Sequence, residues 1–162
     1  MGNAGKQFED EIKKSVPDDV FFYRFRDGTA NFAGGQNENV RFQQSNICDC
    51  MLYNGTLFLL ELKSHKGKSL PFSAIRQNQV VDLSKASMYG GVVAGLIINF
   101  RDAERTFFVH IGKIEYFIAH EERKSIPLMW CEENGIEIPG KKLKVHFRWD
   151  LQKVLGSCSH NI

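Results

Sequence analysis

Asn46-Ile47-Cys48-Asp49-Cys50, a turn at Asn54-Gly55, and then Phe58-Leu59-Leu60-Glu61-Leu62-Lys63 decide the fold. The apolar run Leu57 to Leu62 reads as a buried strand, and a buried strand rarely carries Glu61 and Lys63 without a task. Side chains alternate along a strand, so Glu61 and Lys63 point to one face. Asp49 lies near the start of the preceding strand. It shares that face with Glu61 only if Tyr53 stands opposite Leu57 across Asn54-Gly55-Thr56, a three-residue loop or an equivalent bulge. A two-residue Asn-Gly turn would set Asp49 against Leu60 and split the group. Two carboxylates converging on one point make a hard oxygen site suited to Mg2+ or Mn2+, with a lysine beside it.

An acidic residue, a hairpin and Glu-x-Lys resemble the PD-(D/E)xK nuclease superfamily. The alternative is a surface hairpin with a Glu/Lys pair, against which the apolar residues 57–60 and Leu62 argue burial. The resemblance implies metal-dependent phosphodiester hydrolysis with Asp49 and Glu61 as ligands, the Leu62 carbonyl as a possible third, and Lys63 at the transition state.

At 162 residues with 43% hydrophobic content, the chain has the size of one globular domain, expected over 1–162. A formal net charge of +2 does not by itself argue for nucleic acid. The sequence shows no signal peptide, lipidation motif or bilayer-length apolar run, so the expected address is the cytoplasm of a bacterium or of a phage host. Cys48 and Cys50 flank Asp49 and are expected together on the opposite face of its strand as small core residues. Cys131 and Cys158 have no ligand spacing, so neither zinc nor a disulfide is expected.

A helix is expected from about 3 to 15, with Phe8 and Ile12 on its core stripe. A strand follows at 20–26, with Phe21, Tyr23 and Phe25 facing the core and Val20, Phe22, Arg24 and Arg26 sharing the other face. Ser73 is placed to cap a second helix running to Met88, with Ile75, Gln79, Leu83 and Ala86 inward. A glutamine on such a stripe wants a buried partner; it is either a satisfied core amide or a group that orients the attacking water. Strands at 92–100 and 106–111 and a helix at 113–122 complete a helix, three strands, helix, two strands, helix. That order implies an α/β protein with a mixed sheet flanked by helices. The tail from Gly156 reads as frayed.

The opening Asn3-Ala4-Gly5-Lys6-Gln7-Phe8-Glu9, the Gln79 position, and the later Ser125-Ile126-Pro127-Leu128, Glu132-Glu133-Asn134-Gly135 and Ile136-Glu137-Ile138 are similar to the RecU family of Holliday-junction resolvases. The resemblance implies a restriction-endonuclease-like fold and a homodimer that nicks four-way junction DNA in pairs, with a recombination protein as a possible partner. It also implies that Glu9 joins Asp49, Glu61, Lys63 and Gln79 in the centre. The family usually has Arg where this chain has Ala4, and His before the glutamine where this chain has Asn78. Gly/Asn-rich residues 27–45 fall where the family inserts a stalk, here reduced. Arg24, Arg26, Arg41, Lys66, Lys68 and Arg76 are the candidate DNA contacts, although lysines and arginines in loops and at sheet edges are commonly just solvated. The basic residues Lys141, Lys142, Lys144, Arg148 and Lys153 admit the same two readings. Two other functions stay open: a repair or restriction nuclease of the same fold acting on flaps or duplex, and a module that binds branched DNA without cutting it.

Overall fold

The computed structural model describes residues 4–26 and 45–158. Helix α1 (Ala4–Ser15) leads into β1 (Phe21–Arg24), β2 (Cys50–Tyr53), β3 (Leu57–His65) and a short β4 (Ser69–Pro71). Then come α2 (Gln77–Ala86), β5 (Val92–Phe100), β6 (Arg105–His110), α3 (Ile111–His120), β7 (Ser125–Pro127) and α4 (Leu128–Asn134). The chain continues through β8 (Ile136–Ile138), β9 (Gly140–Lys142), β10 (Phe147–Trp149) and α5 (Gln152–Cys158). Six strands form one sheet in the order β1-β2-β3-β5-β6-β8. Among the described strands only β3 and β5 pair in parallel; the crossover through α2 makes that possible, because parallel neighbours need a long connection. This is the mixed, helix-flanked sheet expected from the sequence. Two further pairs, β4 with β7 and β9 with β10, lie outside it.

The sheet is covered on both faces. Leu59, Ala94, Leu96, Ile98, Phe107 and Val109 face α2 and α3 through Val80, Leu83, Ile114 and Phe117. Leu52, Phe58, Leu60, Ile97 and Phe108 face α1 and α5 through Phe8, Ile12, Val154 and Leu155. Double coverage explains why β5 is apolar almost throughout. Gly95 within it is required by packing: a Cβ there would stand 2.4 Å from the Val109 carbonyl and 2.6 Å from the Phe108 ring. No helix among the described residues is long and apolar enough to cross a membrane.

Four local expectations are corrected. In β1 it is Val20 and Phe22 that turn to the α1 core, while Phe21 and Tyr23 are 55% and 46% exposed. β1 is an edge strand, and α2 and α3 pack over β5 and beyond rather than over it, so of Phe21, Tyr23 and Phe25 only Phe25, just past the strand, reaches the core on that side. Cys48 and Cys50 are both buried but enter opposite cores. The regular ladder begins only at Cys50, so Cys48 is not held to the alternation of a strand. The second helix starts at Gln77, not Ser73: Phe72–Ala74 is a separate 3-10 turn, Ile75 is extended, and Arg76 occupies the cap without a side-chain cap bond. The tail expected to fray from Gly156 is still helical to Cys158, because Val154 and Leu155 anchor α5 in the core. The four cysteines are unbridged, and burial pushes the Cys48 and Cys131 thiols up to about 12.

Candidate active site

The hairpin has the register that the site requires. Cys50 stands opposite Leu60 and Tyr53 opposite Leu57, with Asn54-Gly55-Thr56 between them. The Asn54 N–H donates to the Thr56 carbonyl and the Thr56 N–H to the Asn54 side chain, each at 3.3 Å. Continuing this register brings Asp49 to Glu61. Just beyond the ladder, the Asp49 N–H donates to the Leu60 carbonyl at 3.2 Å, and the Asp49 carbonyl accepts from Phe25 at 2.9 Å. Its carboxylate accepts from the Leu62 N–H at 2.7 Å. Asp49 is therefore fixed at backbone and side chain by two neighbouring segments, β3 and the end of β1, contacts that strand alternation alone could not show.

Glu61 is only 3% exposed. Lys63 Nζ lies 2.7 Å from its Oε1, and Gln79 Nε2 donates to its Oε2 at 3.0 Å. Burial raises the Glu61 pKa, and the neighbouring Asp49 charge raises it further; Lys63 and Arg76 act against both. The centre thus holds two carboxylates that repel each other out of water, an arrangement favourable to a cation. Gln79 is 6% exposed, and its Oε1 has no hydrogen-bond partner among the described residues. A buried acceptor left open beside two carboxylates fits a water or an ion's water shell. Oxygen donors of this kind suit a hard divalent cation. Among the described residues, no group of three or more His, Cys, Asp and Glu side chains converges, so Asp49 and Glu61 would need backbone, water or substrate oxygens to complete a coordination shell.

Asp49, Glu61, Lys63 and Gln79 therefore come together, while the other candidates are spread around them. Glu9 sits on α1, across the sheet from α2, and pairs with Arg24 at 2.5 Å. Arg24 stands opposite Cys50 in the ladder, which sets the Glu9–Arg24 pair beside the strand that Asp49 leads into. Arg26 is exposed, and its carbonyl accepts from Asn46 at 2.5 Å. Lys66 and Lys68 are exposed on the turn after β3, and Arg76 is exposed at the start of α2. Arg41 and nearly all of the expected stalk lie outside the described residues. Asn78 donates to Ser45 at 3.0 Å, joining α2 to the chain that enters Asp49. Two acidic residues of the later similar segment serve the fold: Glu132 and Glu137 clamp Arg105 at 2.8 and 2.7 Å.

A mixed sheet with a hairpin feeding a parallel crossover, carrying its acidic pair on the hairpin, is the architecture of the restriction-endonuclease-like fold. The structure of Hjc from Archaeoglobus fulgidus, a Holliday junction resolvase of an archaeal hyperthermophile, superposes with a TM-score of 0.50 at 18% identity, over 82% of this chain and 91% of that one. Within this fold the chain belongs to the RecU family, Recombination protein U, whose model matches residues 28–153. The SPbeta prophage-derived uncharacterized protein YotM of Bacillus subtilis is 36% identical over 171 aligned positions, covering 95% of this chain and 86% of that protein.

Proposed function

We propose that residues 1–162 form a single nuclease domain that resolves four-way DNA junctions by paired, Mg2+-dependent nicks, with Mn2+ able to substitute. The observation that carries this is the meeting of Asp49, Glu61 and Lys63 at the end of the hairpin in a chain of the RecU family. A bound divalent ion would supply Lewis acidity and a water of lowered pKa, and Asp49 and Glu61, with the Leu62 carbonyl, are the residues to hold it. Lys63 neutralises charge growing on the phosphate oxygens. Gln79 fixes the Glu61 carboxylate through Nε2 and offers Oε1 to the proton of an attacking water. Glu9, held by Arg24, supports the centre from the α1 side. Arg24, Arg26, Arg41, Lys66, Lys68 and Arg76 contact the DNA backbone. Two equivalent cuts across a junction are naturally made by a two-fold homodimer, which is the assembly this function needs; a recombination protein is a further partner class. The cytoplasm, of a bacterium or a phage host, is the compartment where such junctions form.

The test is cleavage of a synthetic four-way junction under Mg2+, beside duplex, flap and single-strand controls, by wild type and Asp49→Ala. Symmetric nicks confined to the junction and lost in the variant are expected. Equal cutting of flaps or duplex would leave a nuclease of another specificity, and tight binding without cutting under Mg2+ or Mn2+ would leave a binding module.

A further inference from the structure

The α1 side of β3 carries an open depression that the chemistry above does not use. Gln7, Ser64, Asn99, Arg101, Glu104 and Trp149 contribute to its lining. Its inner side is a chain of polar groups: the Ser64 hydroxyl donates to Asn99 Oδ1 at 3.0 Å, and Asn99 Nδ2 to the Thr106 hydroxyl at 2.9 Å. Asn99 and Thr106 are buried, and a satisfied buried network holds its members rigid. Ser64 directly follows Lys63. Consecutive Cα atoms are about 3.8 Å apart and their side chains point to opposite faces, so the depression lies across the strand from the catalytic lysine.

The depression carries charge of both signs, with Glu11 at its inner edge and the exposed Arg101 at its outer one. Glu104 is engaged by Lys142. Glu11, at its inner edge, accepts from Gln7 at 3.1 Å and from the Trp149 indole at 3.2 Å. Arg101 makes no ion pair among the described residues. Its backbone is nonetheless fixed. It opens the 3-10 turn Arg101–Ala103 and its carbonyl accepts from Glu104 at 3.1 Å, while the next residue, Asp102, accepts from the Gly67 N–H of the turn after β3 at 3.0 Å. An exposed guanidinium without an ion pair among the described residues, on a pinned turn and lining the same depression as a rigid polar chain, suits a phosphate group. The depression holds about 180 Å3, below the roughly 300 Å3 at which pockets for whole small molecules begin. It therefore suits one phosphate with part of its sugar.

We propose that this depression is a phosphate subsite for the strand being cut, in which Arg101 grips a phosphate flanking the scissile one while the Ser64–Asn99–Thr106 chain keeps the wall beside it rigid. The inference rests on the nuclease reading and names a positioning residue for it. The test uses the full chain and a labelled synthetic four-way junction, with affinity measured in Ca2+ across a salt series and cleavage in Mg2+. Arg101→Ala is expected to weaken binding about tenfold and to reduce the slope of log K against log salt by about one, with kcat at saturating DNA within about twofold of wild type. Arg101→Lys should retain the slope. Lys85→Ala, at the far end of α2, should match wild type in all respects. If wild type binds and cuts while Arg101→Ala shows its affinity and salt slope, the subsite is refuted and the nuclease stands. If wild type neither binds nor cuts any of the DNAs, the nuclease reading falls and the subsite with it.

Discussion

Two buried glutamates sit on opposite faces of the same sheet and have different neighbours. Glu11, 5% exposed on the α1 side, is met by the Gln7 amide, the Trp149 indole and, at 3.7 Å, His146. It ties the β9–β10 hairpin to the first helix. Glu61, 3% exposed on the α2 side, has a lysine and an amide for partners, but it also faces Asp49. Burial of a charge does not separate a structural pin from a reactive group. A second like charge in the same desolvated space does, because folding alone gains nothing from it.

The largest effect that would break this contrast is on activity. Glu61→Gln keeps shape and removes charge, and cleavage is expected to fall by about 1,000-fold or more while junction binding persists; a rate within tenfold of wild type would demote Glu61 to the role of Glu11. Stability should move the other way. The Glu61 pKa is raised in the fold, so its stabilising share is full below the ordinary carboxylate range and is lost as pH rises through the raised value. In chelator at pH 7, Glu61→Gln should therefore melt above wild type, and wild type alone should gain stability when Mg2+ is added. Glu11→Ala leaves the Trp149 N–H and the Gln7 amide without their partner, and is expected to cost about 1–3 kcal/mol. Its cleavage rate well below the melting point should be unchanged. Thermal melting with and without Mg2+, paired with single-turnover cleavage, separates the two residues.

The mixed, helix-flanked sheet and the meeting of Asp49, Glu61 and Lys63 were legible in the sequence because both rest on strong patterns: continuous apolar strands, and charges placed at the end of one of them. The spacing from Tyr53 to Leu57 was enough to pose the register as an alternative that the hairpin then decides. What could not be read depends on tertiary packing. Phe21 and Tyr23 look like core until β1 is known to be an edge strand lying clear of α2 and α3. Glu11 follows Glu9 and Asp10 in an acidic run, the ordinary composition of a solvated helix face; only the return of β10, bringing Trp149 more than a hundred residues later, makes it a pin. Its signal was its place one residue before Ile12 on the core stripe of α1. Asn99 and Thr106, whose polar link organises the depression beside the centre, sat unremarked in apolar strands, although a polar residue ending such a run carries the same signal as Glu61.

The contrast between the two glutamates presupposes that Asp49 stays opposite Glu61, so the smallest prediction concerns what keeps it there. Gly55, at φ +106°, has nothing within 4 Å of a would-be Cβ, and Gly55→Ala therefore acts through backbone strain alone, about 1–2 kcal/mol. If the turn fixed the register, that strain could be relieved by a slip. Yet a one-residue slip turns every side chain of a strand to the other face, and β2 and β3 bury residues on both: Leu52, Phe58 and Leu60 toward α1, Leu59 toward α2. Holding the register costs far less than moving those side chains out of their cores. Gly55→Ala is accordingly expected to lower the melting temperature by a few degrees and leave the single-turnover rate within about twofold. Loss of cleavage in a variant that still melts cooperatively would show instead that the three-residue turn, and not the buried faces, brings the two carboxylates together.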